Sequence, residues 1–264
     1  MAETDFLYRD LAIVNKRVHR LGLTFNFGLD GAGTQEALDA GLNYILWNKL
    51  AGGGEQREVL KDAISKDREK YVLATGAKLG FFRGGVRRGA EAMLRSFGVD
   101  YLDVFHLFWL GRMSSFTESV QEELIKLRDE GLVRAIGISI HDRERAGQLV
   151  TSSPLDLFML RYNAAHPGAE GDIFPHYEER RPLTVAYTAT SWRKLLKVPK
   201  GWDGAPMTAG QCYRFCLSNP NVDLVLTGPK DVTQLRENLA ALEDGPLTPD
   251  EDDWMRRFGK AVHG

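Results

Sequence analysis

The sequence predicts a (β/α)8 barrel, and three observations favour this fold class. Short apolar segments alternate with longer segments of helical periodicity from residue 21 almost to the last residue, as strands and helices around a parallel sheet do. The alternation repeats eight times without a break in composition, which favours closure into one domain over residues 1–264. The length of 264 residues is also that of an ordinary barrel of this kind.

The predicted elements follow one another as strand–helix units. The strands are 22–27, 44–47, 71–77, 104–108, 133–139, 157–161, 183–188 and 222–227, and the helices are 34–40, 55–65, 85–97, 115–130, 142–150, 171–179, 208–217 and 231–242. Gly98 and Gly131 stand where helices end, and Asp231 is placed to cap a helix start. A surface loop is expected over 191–206, and an amphipathic helix over 249–262 follows the eighth unit.

An open, doubly wound sheet is the alternative architecture. Such a sheet requires a glycine-rich turn with GxGxxG spacing after its first strand, and residues 28–33 (GLDGAG) do not have that spacing. The barrel is therefore preferred. In a barrel the functional site lies at the carboxyl ends of the strands.

Composition limits the partners. With 34 basic and 36 acidic residues the net charge is −2, which gives no reason to expect nucleic acid, and the basic run 83–88 is interpreted as the solvated start of a helix. Cys212 and Cys216 share one helix face, where a disulfide would be strained and two thiols make a poor metal site. No apolar stretch reaches 18 residues. We expect a soluble, cytoplasmic protein without a metal or membrane partner, and the oligomeric state is left open.

Several short motifs stand out in addition to this periodicity. They are 8–11 (YRDL) with 18–23 (VHRLGL), 40–44 (AGLNY), 95–103 (RSFGVDYLD), 131–139 (GLVRAIGIS), 161–163 (RYN) and 228–238 (GPKDVTQLREN). In this order they resemble the aldo-keto reductase superfamily, and 131–139 is the most specific of them. The resemblance implies a barrel with an N-terminal hairpin, the cofactor NADP(H), and oxidoreductase activity on a small-molecule substrate.

The resemblance also assigns residues to the cofactor. It implies that Tyr187, after the seventh strand, stacks on the nicotinamide, and that Ser139 contacts the carboxamide. Ile140 stands where the family normally has an asparagine, so one polar contact is missing. A rim tyrosine that only packs on its neighbours is the alternative reading of Tyr187.

The eighth unit resembles the family's phosphate and adenosine site. Gly228 would let the backbone approach a phosphate, and the helix that begins near residue 231 offers free N–H groups. Lys230 is placed to pair with the 2′-phosphate that distinguishes NADP from NAD. Gln234, Glu237 and Asn238 match positions that hold the adenosine end, although a capped surface helix would also account for Glu237 and Asn238.

The residues that the family uses for catalysis are replaced. By the resemblance, the aspartate position is Leu46, the tyrosine position is Ala51, the lysine position is Gly76 and the histidine position is Phe108. The glutamine expected on the sixth strand is Met159. The sequence therefore predicts a divergent member that lacks the usual catalytic tetrad.

Neighbouring polar residues are candidates to replace that tetrad. Side chains alternate along a strand, so Asn48, Lys78 and His106 lie on the same faces as the replaced positions. A lysine near the mouth, its pKa lowered by desolvation, is a candidate acid or base. The alternatives are a solvent-directed Lys78 and a hydrogen-bonded core histidine at 106.

Aromatic residues are also predicted at the barrel mouth. Trp47, Phe108 and Trp109 would make the mouth apolar and suit an aromatic or hydrophobic ligand, unless they serve only for packing. Three functions remain open. They are an NADP(H)-dependent oxidoreductase with a non-standard active site, a non-catalytic relative that binds nucleotide and reports it to a partner, and a lyase or isomerase that uses Lys78, His106 or Asn48.

Overall fold

An antiparallel hairpin opens the computed structural model, which describes residues 5–48, 54–78, 83–110 and 116–263. Its strands β1 (Tyr8–Leu11) and β2 (Lys16–His19) are joined by the short 3-10 helix Ala12–Val14. Tyr8 pairs with His19 at the open end of the hairpin. The N-terminal hairpin implied by the resemblance is confirmed.

Eight parallel strands form a closed barrel. They are β3 (Leu21–Thr24), β4 (Tyr44–Leu46), β5 (Val72–Lys78), β6 (Leu102–Leu110), β7 (Val133–Ile140), β8 (Leu157–Arg161), β9 (Leu183–Tyr187) and β10 (Leu224–Thr227). Each strand pairs with the next along the chain, and β10 pairs in parallel with β3 to close the ring. The predicted barrel is confirmed and the open sheet is excluded, because an open sheet has two unpaired edges.

Helices connect the strands and cover the barrel. They are α1 (Gly31–Asp39), α2 (Gly54–Lys66), α3 (Arg83–Phe97), α4 (Glu118–Asp129), α5 (Arg143–Ser152), α6 (Ala169–Asp172), α7 (Ala209–Ser218), α8 (Val232–Ala240) and α9 (Pro249–His263). The basic run does begin α3, and Cys212 and Cys216 lie buried in α7 as free thiols. Within the described residues, no helix has the length and apolarity to cross a bilayer.

One predicted helix is wrong in its form. Residues 171–179 were expected to be a single helix, but α6 ends at Asp172 and a separate 3-10 helix runs over Phe174–Glu178. Pro175 stands in the first turn of that second helix. A proline has no N–H to continue a preceding helix, so the chain restarts there.

The predicted helix-terminal residues act as expected. Gly98 and Gly131 take left-handed backbone conformations, with φ of +66° and +75°, directly after α3 and near the end of α4. Glycine adopts this conformation without a steric cost, so it ends a helix readily. Asp231 caps α8, because its carboxylate accepts a hydrogen bond of 2.9 Å from the backbone N–H of Gln234.

Alternating side chains divide each strand between two hydrophobic clusters. On β8, Leu157 and Met159 pack inside the barrel, whereas Phe158 and Leu160 pack between the strands and the helices. Hairpin residues, including Leu11, pack into the amino end of the interior cluster. The carboxyl ends of the strands therefore form the mouth of the barrel.

The prediction that Trp47 lines this mouth is wrong. The side chain is 5% exposed and lies in the outer cluster, with ring centroids 5.1 Å from Phe25 and 5.7 Å from Phe97. Leu46, its neighbour, belongs to the interior cluster. Successive residues of an extended chain point to opposite faces, so residue 47 points outward to the helices.

The amino ends of the strands share a polar contact that recurs at every second strand. A side-chain oxygen at the start of β4, β6, β8 and β10 accepts a backbone N–H from the segment before it. The pairs are Asn43 with His19, Asp103 with Leu73, Asp156 with Ile136 and Asp223 with Thr184, each at 2.9 Å. Each aspartate also pairs with an arginine, namely Arg68 at 2.6 Å, Arg128 at 3.0 Å and Arg181 at 3.0 Å respectively. We call these four residues the amino-end pins.

The pin at Asp103 provides a test of this arrangement. Its side chain is fully buried and also pairs with the buried Lys16 ammonium at 2.8 Å. Asp103→Asn keeps the shape but leaves two cations without a carboxylate, which should lower the free energy of unfolding by about 3 kcal/mol. The urea midpoint measures this change. As the control, Asp62→Asn breaks the exposed Lys66 pair and should cost less than about 0.5 kcal/mol. Equal midpoints for the two variants would contradict the assignment.

Candidate active site

Three strands meet at the barrel mouth through Tyr187 of β9, Arg161 of β8 and His141, which follows β7. The Tyr187 hydroxyl lies 3.0 Å and 3.1 Å from the two ring nitrogens of His141, and the rings meet edge to face. The Cα atoms of Arg161 and Tyr187 are partners in the sheet register. Burial raises the pKa of Tyr187, and the nearby charge of Arg161 lowers it by a smaller amount. The pKa of His141 is lowered, first by burial and then by the charge of Arg161. Both groups are therefore neutral at physiological pH.

Ser139 holds a bulge at the end of β6. Trp109 has a left-handed φ of +58°, and the β6–β7 register shifts between Leu107 and Leu110. The backbone N–H of Trp109 donates to Ser139 Oγ at 2.6 Å, and Ser139 is 2% exposed. The serine thus accepts a hydrogen bond from the bulge, and within the described residues its own O–H has no acceptor. The indole of Trp109 is 44% exposed at the mouth.

The segment after β9 contains an unusual left-handed turn. Ser191, Trp192 and Arg193 have φ of +50°, +52° and +67°. Its hydrogen bonds include Lys194 N–H to the Ser191 carbonyl at 3.0 Å. Non-glycine residues in this region each cost roughly 1–2 kcal/mol, so the surroundings must enforce the turn. The turn places the Trp192 ring 5.7 Å from the guanidinium of Arg161.

His106 is sealed inside the barrel. It has no exposed surface, its ring stacks on Phe108 at 5.6 Å, and neither ring nitrogen has a hydrogen-bond partner within the described part of the chain. Burial lowers the pKa of His106 to about 3. A Cβ at Gly137 would lie 2.6 Å from His106 Nδ1, so this glycine makes room for the ring. This geometry favours the packing interpretation of His106 over a catalytic one, although its imidazole lacks the hydrogen bond that was expected.

Gly76 is required by the local backbone. A Cβ at this position would collide with the carbonyl oxygen of His106 and lie 2.8 Å from the Phe108 ring. A lysine at residue 76 is therefore incompatible with this strand geometry. In the register of β5 and β6, the Cα atom of Lys78 is the partner of that of Phe108. Phe108 is the residue that the resemblance aligns with the family's histidine, so Lys78 lies beside that position.

The other positions that the resemblance aligns with the family's catalytic residues lie in an apolar interior. Leu46, Phe108 and Met159 are 4%, 8% and 7% exposed and pack together in the interior cluster. Asn48 follows β4 at the mouth and is partly exposed. Ala51 lies outside the described residues.

The segment between β10 and α8 packs against the loop that follows β3. A Cβ at Gly228 would collide with the ring of Phe27, and Gly28, at φ +121°, approaches the Lys230 carbonyl closely. Phe27 is 58% exposed. The Lys230 side chain is 65% exposed and its Nζ lies 3.5 Å from Asp231, while its backbone N–H donates to Gln234 Oε1 at 3.0 Å.

Two predicted adenosine residues differ in their surroundings. Glu237 is exposed on α8. Asn238 is 5% exposed, and its Nδ2 donates to Thr227 Oγ1 at 3.2 Å, so it anchors α8 to β10. The structure thus brings Ser139 and Tyr187 to the mouth, and places Gly228, Lys230 and Gln234 beside the β10 end of it.

Sequence reasoning missed His141 and Arg161 as members of the site. Arg161 is the first residue of the RYN motif, and His141 lies two residues after Ser139, the last residue of the motif 131–139. Two-residue periodicity from Met159 places Arg161 on the inner face of β8. That parity is the signal that would have found the arginine.

Comparison with known proteins relates most of the chain to one family. The model of the aldo/keto reductase family matches residues 31–191. An uncharacterized oxidoreductase of Bacillus subtilis, YqkF, is 25% identical over 256 residues, which cover 82% of this chain and 83% of that protein. The NADH-specific methylglyoxal reductase of Escherichia coli is 25% identical over 282 residues, with 86% of each chain covered.

Solved structures agree with the fold. The holo form of the aldo-keto reductase AKR11C1 from Bacillus halodurans superposes with a TM-score of 0.80 at 21% identity, covering 96% of each chain. An aldo/keto reductase from Klebsiella pneumoniae in complex with NADP and acetate gives a TM-score of 0.76 at 23% identity, covering 93% of each chain.

The packing of His106 against Gly137 provides a second test. Gly137→Ala should destabilise the protein by roughly 1–3 kcal/mol, because the added methyl group overlaps the imidazole. In the double variant with His106→Ala the overlap disappears, so the cost of Gly137→Ala should fall below about 0.5 kcal/mol. Chemical denaturation measures both. Gly171→Ala, where a Cβ meets nothing within 4 Å, is the matched control. A cost at residue 137 that is independent of His106 would refute this packing.

Proposed function

Because this chain belongs to the aldo/keto reductase family, we propose that it is an NADP(H)-dependent oxidoreductase that acts on small carbonyl compounds with a non-standard active site. The observation that carries the proposal is the convergence of cofactor-like positions at one end of the barrel. Ser139, Tyr187 and Gly228 stand at or just beyond the carboxyl ends of β7, β9 and β10. The contact between Tyr187 and His141 joins the first two of these strands across β8.

The residues at the mouth fit a dinucleotide. The Tyr187 ring is partly exposed and offers an aromatic face, and the exposed ring of Phe27 packs closely against Gly228. The exposed ammonium of Lys230 stands beside the start of α8, where a helix N-terminus favours anions. Asp231 already caps that helix, so we assign the phosphate contact chiefly to Lys230 and to the backbone at residue 228.

NADPH, when bound, supplies the hydride, and the protein supplies position and polarity. Leu46, Phe108 and Met159 exclude water from the mouth interior, which strengthens every polar contact there. Ser139 retains one O–H donor for an amide or carbonyl oxygen. Tyr187 and His141 are neutral, so a carbonyl at the mouth meets hydrogen-bonding groups rather than a fixed anion.

The proton for the carbonyl oxygen requires a residue other than the family's tyrosine. His106 is sealed from solvent and its pKa of about 3 leaves it without a proton to give at neutral pH. Lys78 stands at the end of β5, with its Cα beside that of Phe108 at the mouth. We therefore assign proton transfer to Lys78, with Asn48 as a neutral hydrogen-bonding neighbour on β4's side of the mouth.

The choice between NADP and NAD depends on this chain's own residues. One relative is named as NADH-specific, so family membership does not decide the preference. Lys230 is the cation beside the β10–α8 segment that the proposal assigns to the 2′-phosphate. An exposed ionic contact contributes less binding free energy than a buried one. We therefore expect the preference for NADPH over NADH to lie at the low end of the range for charge-assisted hydrogen bonds.

Lys230→Ala tests the nucleotide site. It should weaken NADPH binding about tenfold and leave NADH binding nearly unchanged, because NADH has no 2′-phosphate to lose. Titration followed by nicotinamide fluorescence measures both affinities. Lys260→Ala, at an exposed lysine of α9, removes the same charge far along the chain and should change neither. Equal losses for the two nucleotides would show that the substitution had disturbed the start of α8 instead.

Lys78→Met tests the proton donor. With NADPH and an aldehyde, kcat should fall roughly 100-fold or more, the contribution expected of a general acid, while the Kd for NADPH stays within about twofold. Steady-state kinetics and fluorescence titration measure the two quantities. An unchanged kcat would remove Lys78 from the reaction. Nucleotide binding without turnover of any carbonyl by the unmodified protein would favour the non-catalytic relative, and no binding at all would favour a lyase or isomerase.

A further inference from the structure

Within the described residues, Arg161 at the mouth has no partner of opposite charge, and we propose that it forms a carboxylate-binding subsite. This inference rests on the proposed function, because it names the substrate class of the same site. The expected substrates are aldehydes or ketones that also carry a carboxylate group.

The strand pattern places Arg161 at the inner edge of the mouth. It ends β8 in the same two-residue series as Leu157 and Met159, both of which pack inside the barrel. Its Cα is the register partner of Tyr187, the residue assigned to the nicotinamide. The side chain is half-buried, so its charge is only partly solvated. A ligand held by Arg161 would therefore lie next to the reacting end of the nucleotide.

The pairing of Arg161 differs from that of other partly buried arginines. Arg214 forms a two-pronged pair with Glu251, Arg256 pairs with Glu170, and Arg128 pairs with Asp156. Across the described ranges, Arg161 has neither a salt bridge nor a side-chain hydrogen bond, and its guanidinium lies 5.7 Å from the centre of the Trp192 ring. A guanidinium presents five N–H donors in a planar fork that matches a carboxylate. These donors are available to a ligand.

The surrounding charges also favour an anion. Burial, and after it the charges of Arg161, His263, Lys194 and Arg143, lower the pKa of His166 to about 4. Arg161 is likewise the charge that lowers the pKa of His141. Arg143 is already paired with Asp172, so a carboxylate bound here would meet chiefly the charge of Arg161. It would also meet two neutral polar groups, Tyr187 and His141. It would also supply the opposite charge that Arg161 lacks among the described residues.

The enforced turn after β9 supports a built subsite. Asn163 Nδ2 donates to the Thr188 carbonyl at 2.8 Å, and this contact fixes the chain where it leaves β9. The left-handed residues that follow then bring Trp192 over Arg161. Backbone strain of this kind persists where the surroundings fix a side chain in place. The arginine is thus positioned between a tyrosine and a tryptophan before any ligand arrives.

Matched substrates test the subsite. With NADPH, the unmodified protein should reduce 4-carboxybenzaldehyde with a kcat/KM roughly 10- to 100-fold above that for 4-carbamoylbenzaldehyde, its neutral isostere. Arg161→Gln should abolish this ratio, chiefly through a higher KM, and Arg161→Lys should retain part of it, since a lysine keeps the charge but not the fork. Lys197→Gln, an equal loss of charge at an exposed position in the connection that carries Trp192, should keep the full ratio.

Three results would overturn the carboxylate-binding subsite. A ratio near one in the unmodified protein, or a ratio that survives in Arg161→Gln, would overturn the subsite and leave the proposed reductase standing. A weaker affinity for NADPH in Arg161→Gln with an unchanged ratio would assign the arginine to the nucleotide and also overturn the subsite.

A binding measurement covers the case in which no carbonyl is reduced, which would contradict the proposed function itself. Calorimetric titration with benzoate and benzamide, in the presence of saturating NADP⁺, then tests the subsite alone. Binding of benzoate that is lost in Arg161→Gln, with no binding of benzamide, supports it. Equal binding of both compounds, or of benzoate to both proteins, overturns it, as does the absence of benzoate binding.

Discussion

Pairing of the strands at their amino ends is the contact on which the rest of the structure depends. Each amino-end pin accepts a hydrogen bond from a backbone N–H of the preceding segment, as Asn43 and Asp223 do, and so links its strand to that segment. Because a slip of one residue would turn every side chain to the opposite face, fixing this register decides which residues enter the barrel. It places Arg161 and Tyr187 side by side at the other end. The pins therefore position the mouth from the far side of the molecule.

The two ends of the barrel differ in how their backbones are held. At the amino end, buried aspartates are satisfied by N–H groups and arginines, as Asp103 is by Leu73 and Arg68. At the carboxyl end, the bulge at Trp109 and the turn through Trp192 adopt left-handed conformations. Stability at one end allows strained geometry at the other, where polar groups such as Arg161 are presented to a ligand.

The sequence predicted the alternation of strands and helices well, because short apolar runs and helical periods differ in length. The three aspartate pins stand in similar segments, Leu-Asp-Val at 102–104, Leu-Asp-Leu at 155–157 and Val-Asp-Leu at 222–224, but their role was not predicted from the sequence. Other features depend on three-dimensional packing. The close fit of Gly137 against His106 requires neighbouring strands in known register. A left-handed turn without glycine gives no local signal. That Arg161 has no ionic partner among the described residues becomes evident only once the carboxylates near it have been placed in three dimensions.

The proposed chemistry requires a dinucleotide that binds at the mouth with its nicotinamide beside Tyr187. A crystal structure of the protein with NADP⁺ tests this most directly. We expect the nicotinamide ring on the face of Tyr187, its carboxamide within hydrogen-bond reach of Ser139, and the Phe27 ring displaced from Gly228 by the phosphates. A dinucleotide bound away from the carboxyl ends of the strands, or a nicotinamide that does not contact Tyr187, would contradict the account.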